Sequence, residues 1–191
     1  MHRVCVFAGS NAGARGEFLS AARDLGAEIA RRGYAMVYGG AQRGLMGACA
    51  DAALAGGAEV VGVLPRALST REIAHPRLTE LRIVGSLHER KAVMSALCDS
   101  IVALPGGCGT MDELFEAITW AQLGLHEKPI GLLDAGGYYA PLLAFLEHMN
   151  AEGFVRPALR LARAQTAKDL LDQLVTAPPV AVSPRGPHPI P

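Results

Sequence analysis

Residues 100–123 read SIVALPGGCGTMDELFEAITWAQL, and their order decides the fold. Ser100 to Leu104 is a short, continuous apolar run, the pattern of a strand covered on both faces. Pro105-Gly-Gly-Cys-Gly109 then turns the chain, and a helix is expected from Thr110 to about Leu123. Leu114, Ile118, Ala121 and Leu125 form its apolar stripe, which core packing and a subunit contact explain equally well.

The same strand, glycine loop and helix recur on either side. Upstream, Arg3 to Ala8 leads into Gly9–Gly13, and a helical period then runs from Gly16 to Arg32 until Gly33 stops it. Ala35–Tyr38 is a second strand, Gly39–Gly44 a second loop and Leu45–Leu54 a small-residue helix. Glu59–Leu64 is a strand broken by Pro65, and Arg66–Thr79 is polar and irregular, with room for one helical turn. Glu80–Val84 reads as a strand and Ser86–Cys98 as a helix. Downstream come strand Pro129–Leu133, helix Tyr138–Glu152, a weak strand Leu161–Ala164 and helix Ala167–Val175. Strands and helices that alternate at these lengths need crossover connections. The fold class is therefore α/β: a doubly wound, mostly parallel sheet with helices on both faces, Rossmann-like, in a single domain over residues 1–177. Residues 178–191 are proline-rich and are read as a disordered tail that joins neither sheet nor helix.

Composition narrows the function. The chain has 191 residues, 50% of them hydrophobic and 19% charged, enough for one full core and too apolar for a disordered chain. Its 18 basic residues cancel its 18 acidic ones, so neither nucleic acid nor an anionic membrane surface has a cationic footprint to meet. Cys5, Cys49, Cys98 and Cys108 form no CxxC pair, and the first three sit in apolar runs as packed thiols of a reducing compartment. The amino terminus enters a strand pattern within three residues, and no apolar run is long enough to span a bilayer. A cytoplasmic protein is expected.

Several catalytic motifs are absent. There is no GxGxxG, no GK dipeptide of a P-loop and no Gly-x-Ser-x-Gly elbow. His88-Glu89 is followed by Ala92 where a zinc helix needs its second histidine, so no metal is expected. Three glycine loops remain, each at the carboxyl end of a strand and each before a helix. Gly9 and Ser10, Gly39 and Gly40, and Gly106, Gly107, Gly109 and Thr110 offer amides and hydroxyls to an anion such as a phosphate. Any parallel α/β protein needs glycine at such turns, so no single loop carries the inference.

Three stretches together do carry one: Tyr38-Gly-Gly-Ala-Gln-Arg-Gly-Leu-Met-Gly47, Leu87-His-Glu-Arg-Lys-Ala-Val-Met94 and Pro105-Gly-Gly-Cys-Gly-Thr-Met-Asp-Glu113. They resemble the LOG (LONELY GUY) family of cytokinin-activating phosphoribohydrolases. Its PGGxGTxxE hallmark is matched at every fixed position from Pro105 to Glu113, and its Arg-Lys pair falls on Arg90 and Lys91. The resemblance covers about residues 3–175. Cys108 replaces the usual aromatic of PGGYGT, Ala41 the third glycine of YGGG, and Leu87 the usual methionine before His-x-Arg-Lys.

The resemblance implies hydrolysis of the N-glycosidic bond of N6-modified adenosine 5′-monophosphates, without metal or organic cofactor, by a homodimer with active sites near the subunit interface. It casts Arg90 and Glu113 as the catalytic pair and Glu72, Lys91 and Met94 as substrate contacts, and Thr119 is added to them. Chemically, a carboxylate one helical turn past a phosphate loop can stabilise an oxocarbenium-like transition state. Plainer readings stand beside these. Thr110 and Glu113 form Thr-x-x-Glu, a helix capping box worth about 1 kcal/mol without catalysis. Arg90 and Lys91 alone read as a solvated helix face, and Met94 as core. The rival functions are a broader purine nucleotide nucleosidase and a non-catalytic nucleotide sensor or carrier. A decarboxylase is remote, because no lysine has a recognisable pyridoxal-phosphate setting.

Overall fold

The computed structural model describes residues 1–68, 74–154 and 160–177. Its strands are β1 (Arg3–Phe7), β2 (Ala35–Tyr38), β3 (Val60–Pro65), β4 (Glu80–Val84), β5 (Ser100–Ala103), β6 (Ile130–Leu133) and β7 (Leu161–Ala164). Its helices are α1 (Gly16–Arg31), α2 (Gly44–Ala55), α3 (Leu87–Leu97), α4 (Cys108–Gln122), α5 (Ala140–Ala151) and α6 (Ala167–Thr176). Short 3-10 turns fill Arg66–Leu68 and Ala135–Gly137. The strands form one sheet in the order β4-β3-β2-β1-β5-β6-β7, with every pairing parallel. This is the expected Rossmann-like α/β sandwich. Glu72 and the proline-rich residues 178–191 lie outside the described residues.

The apolar runs are continuous because both faces of the sheet are covered. Phe18, Leu25 and Ile29 of α1, Leu45 and Cys49 of α2, and Leu170 and Leu174 of α6 pack on one face. Met94 and Cys98 at the end of α3, Leu114 and Ile118 of α4, and Tyr139 before α5 pack on the other. Burial pushes the Cys49 thiol up to about 12 and Cys5 well above its ordinary value, so both pack as inert thiols. Helices α1 and α2 cross closely: a Cβ on Gly26 would lie 2.1 Å from the Cys49 carbonyl oxygen.

The boundaries differ from the sequence reading where caps decide them. Helix α4 starts at Cys108 rather than Thr110, with Gly107 as an extended N-cap that makes no side-chain bond. Thr110 and Glu113 are therefore not a capping box. A capping motif does form at α3, where Ser86 accepts from the Glu89 amide at 3.1 Å and Glu89 accepts from the Gly85 amide at 2.7 Å. Helix α5 begins at Ala140, not Tyr138, because Gly136 and Gly137 take left-handed φ values of 57° and 72° just before it. Along α4, Leu114, Ile118 and Ala121 are core, whereas Leu125 beyond its end is 68% exposed.

Candidate active site

Strand order reverses direction at β1, whose neighbours are β2 and β5, so the chain leaves β1 and β5 in loops that lie side by side. The Gly9 amide donates to the Pro105 carbonyl at 3.0 Å and joins the two loops. A Cβ on Gly9 would sit 3.1–3.3 Å from the backbone of Asn11, Pro105 and Gly106, so the approach has little room for a side chain. The loop after β2 closes on them from the other side. Leu45 and Met46, in the first turn of α2, donate to the Gly9 carbonyl, and Gly44 presses on the backbone of Ser10. The three glycine loops thus form one cluster at the carboxyl edge of the sheet.

At its centre is the amino end of α4. The Met111 amide bonds the Gly107 carbonyl at 3.1 Å, so the amides of Cys108, Gly109 and Thr110 precede the first intrahelical donor and face outward at the positive end of the dipole. Thr110 is buried, with its hydroxyl against Gly106, where an added Cβ would lie 2.1 Å from Thr110 Oγ1. Gly107 and Gly109 differ. Neither has a positive φ, and a Cβ on either would meet nothing within 4 Å. Folding does not require glycine there. A ligand drawn close to the amides would.

One helical turn further, Glu113 turns inward and is 8% exposed. Its Oε1 lies 2.5 Å from Nη2 of Arg90, which α3 delivers from the same face of the sheet. Burial raises the Glu113 pKa above the ordinary carboxylate value, and the charge and hydrogen bond of Arg90 oppose the rise without cancelling it. The Arg90 guanidinium also lies against Gly39, where a Cβ would be 3.6 Å from Nη1. Its Nε is buried and has no partner among the described residues. Arg90 therefore holds Glu113 with one nitrogen and keeps further donors uncommitted.

Lys91, the next residue, points the other way and pairs with Asp112 at 3.0 Å and with Glu116. Burial of the ammonium lowers its pKa, but the hydrogen bonds and charges of Glu116 and Asp112 outweigh that and hold it above the usual lysine value. These groups border a groove of about 870 Å³ lined by Lys91, Gly107, Cys108, Phe115, Thr119 and Tyr138 among others. Thr119 lies on its wall, with its hydroxyl donated to the Phe115 carbonyl at 2.7 Å. Arg90 and Glu113 do not line the groove. The structure thus brings together Arg90, Glu113, Gly9, Ser10, Gly39, Gly40 and the Gly106–Thr110 loop. It sets Lys91 and Thr119 on the adjoining groove and buries Met94 to 1% exposure in the core.

Sequence reading missed Tyr138. Its hydroxyl donates to the Gly106 carbonyl at 2.5 Å, and its ring packs edge-on against Phe18 and Tyr139. Its place just past the carboxyl end of β6 was the available signal. Among the described residues, no group of three His, Cys, Asp or Glu side chains is arranged to hold a metal ion.

A family model described as "possible lysine decarboxylase" matches residues 46–174. A "probable cytokinin riboside 5′-monophosphate phosphoribohydrolase" of Oryza sativa subsp. japonica is 51% identical, over 90% of this chain and 78% of that protein. A cytokinin riboside 5′-monophosphate phosphoribohydrolase of Arabidopsis thaliana is 46% identical, over 90% of this chain and 81% of that one. Solved structures share the fold at lower identity. A molybdenum cofactor binding protein from Rippkaea orientalis is 21% identical with a TM-score of 0.69, over 92% of this chain and 96% of that chain. The molybdenum cofactor carrier protein of Chlamydomonas reinhardtii is 22% identical with a TM-score of 0.68, over 91% and 98%. With about half of its residues identical to those of the plant proteins over nine-tenths of its length, the chain belongs to the LOG family of cytokinin riboside 5′-monophosphate phosphoribohydrolases.

Proposed function

We propose that the protein hydrolyses the N-glycosidic bond of N6-modified adenosine 5′-monophosphates, and of AMP, to give the free base and ribose 5-phosphate. The observation that carries this reading is the buried Arg90–Glu113 pair one helical turn from an amide cradle whose Gly107 and Gly109 are kept bare. The 5′-phosphate binds the amides of Cys108, Gly109 and Thr110 and the Gly9–Ser10 turn, and this fixes the ribose over Glu113. As the bond from C1′ to the base breaks, positive charge builds on C1′ and the ring oxygen, and the Glu113 carboxylate stabilises it. Water adds to C1′, one of its protons leaves, and the departing base is protonated. Arg90 favours the ionised carboxylate against the effect of burial and aims it, and gives its free donors to the sugar or the base. Lys91, Thr119 and Glu72 are assigned to the surrounding substrate contacts.

Two features weigh against decarboxylation. Lys91, the lysine nearest the site, is held charged by two carboxylates, whereas a Schiff-base lysine needs its pKa lowered. The second is that the plant relatives are named phosphoribohydrolases, against the decarboxylase description of the matching family model. The family resemblance also supports a cytoplasmic homodimer with no nucleic-acid partner, for which exposed Leu123 and Leu125 beyond α4 leave apolar surface. No helix of the described residues is long and apolar enough to cross a membrane.

The test is chromatography of AMP and isopentenyladenosine 5′-monophosphate after incubation with the purified protein. Release of base and ribose 5-phosphate supports the proposal, and the ratio of the two rates gives the preference. Intact nucleotides bound to folded protein would make it a sensor or carrier instead.

A further inference from the structure

Asp51 and His75 meet beside the Gly39–Gly40 turn, and neither is itself assigned to the reaction. Asp51 stands on α2 and is half exposed, whereas the His75 side chain is fully buried. The His75 ring nitrogens are both engaged. Nδ1 lies 3.2 Å from the Arg77 amide, which can only donate, so Nδ1 accepts. Nε2 then carries the proton and donates it to Asp51 Oδ1 at 3.1 Å. Arg77 adds a guanidinium to the same carboxylate, but at 64% exposure it contributes little.

The backbone of this histidine is what reaches the site. The His75 amide donates to the Gly40 carbonyl at 2.9 Å, and Ala74 pairs with Ala41 in an antiparallel bridge. Gly40 has φ 81°, open to glycine and strained for other residues, so its peptide stays where outside bonds hold it. Gly39, one residue earlier, borders the Arg90 guanidinium so closely that a Cβ there would lie 3.6 Å from Nη1. Hydrogen bonds therefore run from Asp51 through the His75 ring and amide to Gly40, and the next residue, Gly39, is the neighbour of Arg90.

We propose that Asp51 and His75 are positioning residues for the glycosidase reaction, which lock the Gly39–Gly40 turn and thereby the direction in which Arg90 presents its free donors. The proposal rests on the function proposed above. Among the described residues the pair makes no bond to the amide cradle at α4, so it acts on the reacting end of the substrate rather than on the phosphate held there.

The test compares Asp51→Ala with Asp51→Asn in steady-state turnover of AMP, with thermal melting of each. Asp51→Ala leaves the His75 Nε2–H without an acceptor. It should lower kcat by about tenfold, as expected for a small misplacement of a catalytic group. KM should move by less than about threefold, because the phosphate cradle that supplies most of the ground-state binding is untouched. Asp51→Asn keeps the acceptor oxygen and should retain about half of the wild-type kcat or more. Wild-type kcat in Asp51→Ala overturns the proposal. So do equal losses in both variants, and so does a loss carried in KM alone. A wild-type protein that leaves both nucleotides intact overturns the functional reading itself, and the wild-type control alone distinguishes that case.

Discussion

Glu113 Oε1 lies 2.5 Å from Arg90 Nη2, and yet the Glu113 pKa stands above the ordinary carboxylate value. Burial outweighs the ion pair. The sign of the pH effect follows. The reaction needs the carboxylate, so activity is lost as pH falls through a pKa that lies higher than the roughly 4.3 of a free glutamate. The acid limb of kcat/KM for AMP should therefore bend at a pH above that value. A limb that bends at or below it would mean that Glu113 is not the group being titrated, or that Arg90 holds it more strongly than burial opposes.

The same imbalance separates stability from catalysis. A group whose pKa is raised by folding favours the native state in its protonated form, and that contribution fades as pH rises through the folded pKa. Wherever Glu113 is ionised, its buried charge is therefore a burden on stability. Glu113→Gln keeps an oxygen for Arg90 and removes the charge, so its melting temperature should not fall below that of the wild type. Its turnover should drop by about 100-fold or more. Arg90→Ala should also lose turnover, but it strands a buried carboxyl and should lower stability by about 1–3 kcal/mol. Urea unfolding of the two variants checks the contrast.

Which parts of this were legible in the sequence depends on how local the cause is. The sheet was readable because each strand is an unbroken apolar run between punctuating glycines, and Val102 with no exposed surface is typical of the result. The three glycine loops could be placed on one edge because strand polarity alone puts them there. The start of α4 was misplaced because Thr-x-x-Glu looks like a cap, while the actual N-cap, Gly107, has no side chain with which to announce itself. The sequence pattern puts Tyr138 first in a helix. Only the left-handed turns at Gly136 and Gly137 free it to reach Gly106. Asp51 and His75 are 24 positions apart and share no period, so their contact exists only once β3 and α2 are packed.

Tyr138 can be tested with the loss of one oxygen. Its ring packs on Phe18 and Tyr139, and its hydroxyl alone bonds the Gly106 carbonyl. Tyr138→Phe keeps the packing and frees that carbonyl, and the peptide that begins the amide cradle then loses one restraint. Stability should change by about 1 kcal/mol or less, since the site borders solvent. KM for AMP should rise while kcat changes little, the reverse of the split expected for Asp51→Ala. Unchanged KM would show that the cradle is held by the Gly9–Pro105 bond without help.

The glycines of the α4 loop make the sharpest separation between fold and ligand. Gly106→Ala would place a methyl 2.1 Å from Thr110 Oγ1 and 2.9 Å from the Gly9 amide nitrogen, so it should destabilise the protein whether or not anything binds. Gly107→Ala and Gly109→Ala meet no protein atom within 4 Å. Gly109 lies inside the first turn of the helix, where alanine gains up to about 1 kcal/mol over glycine. Gly109→Ala should melt at or above the wild-type temperature and Gly107→Ala, at the N-cap, slightly below it, yet both should bind ribose 5-phosphate at least about tenfold more weakly, because the methyl occupies the space a phosphate needs to reach the amides. Calorimetric titration with ribose 5-phosphate on all three proteins decides it. Wild-type affinity in Gly107→Ala and Gly109→Ala together would remove the phosphate from the amino end of α4, whatever reaction the protein performs.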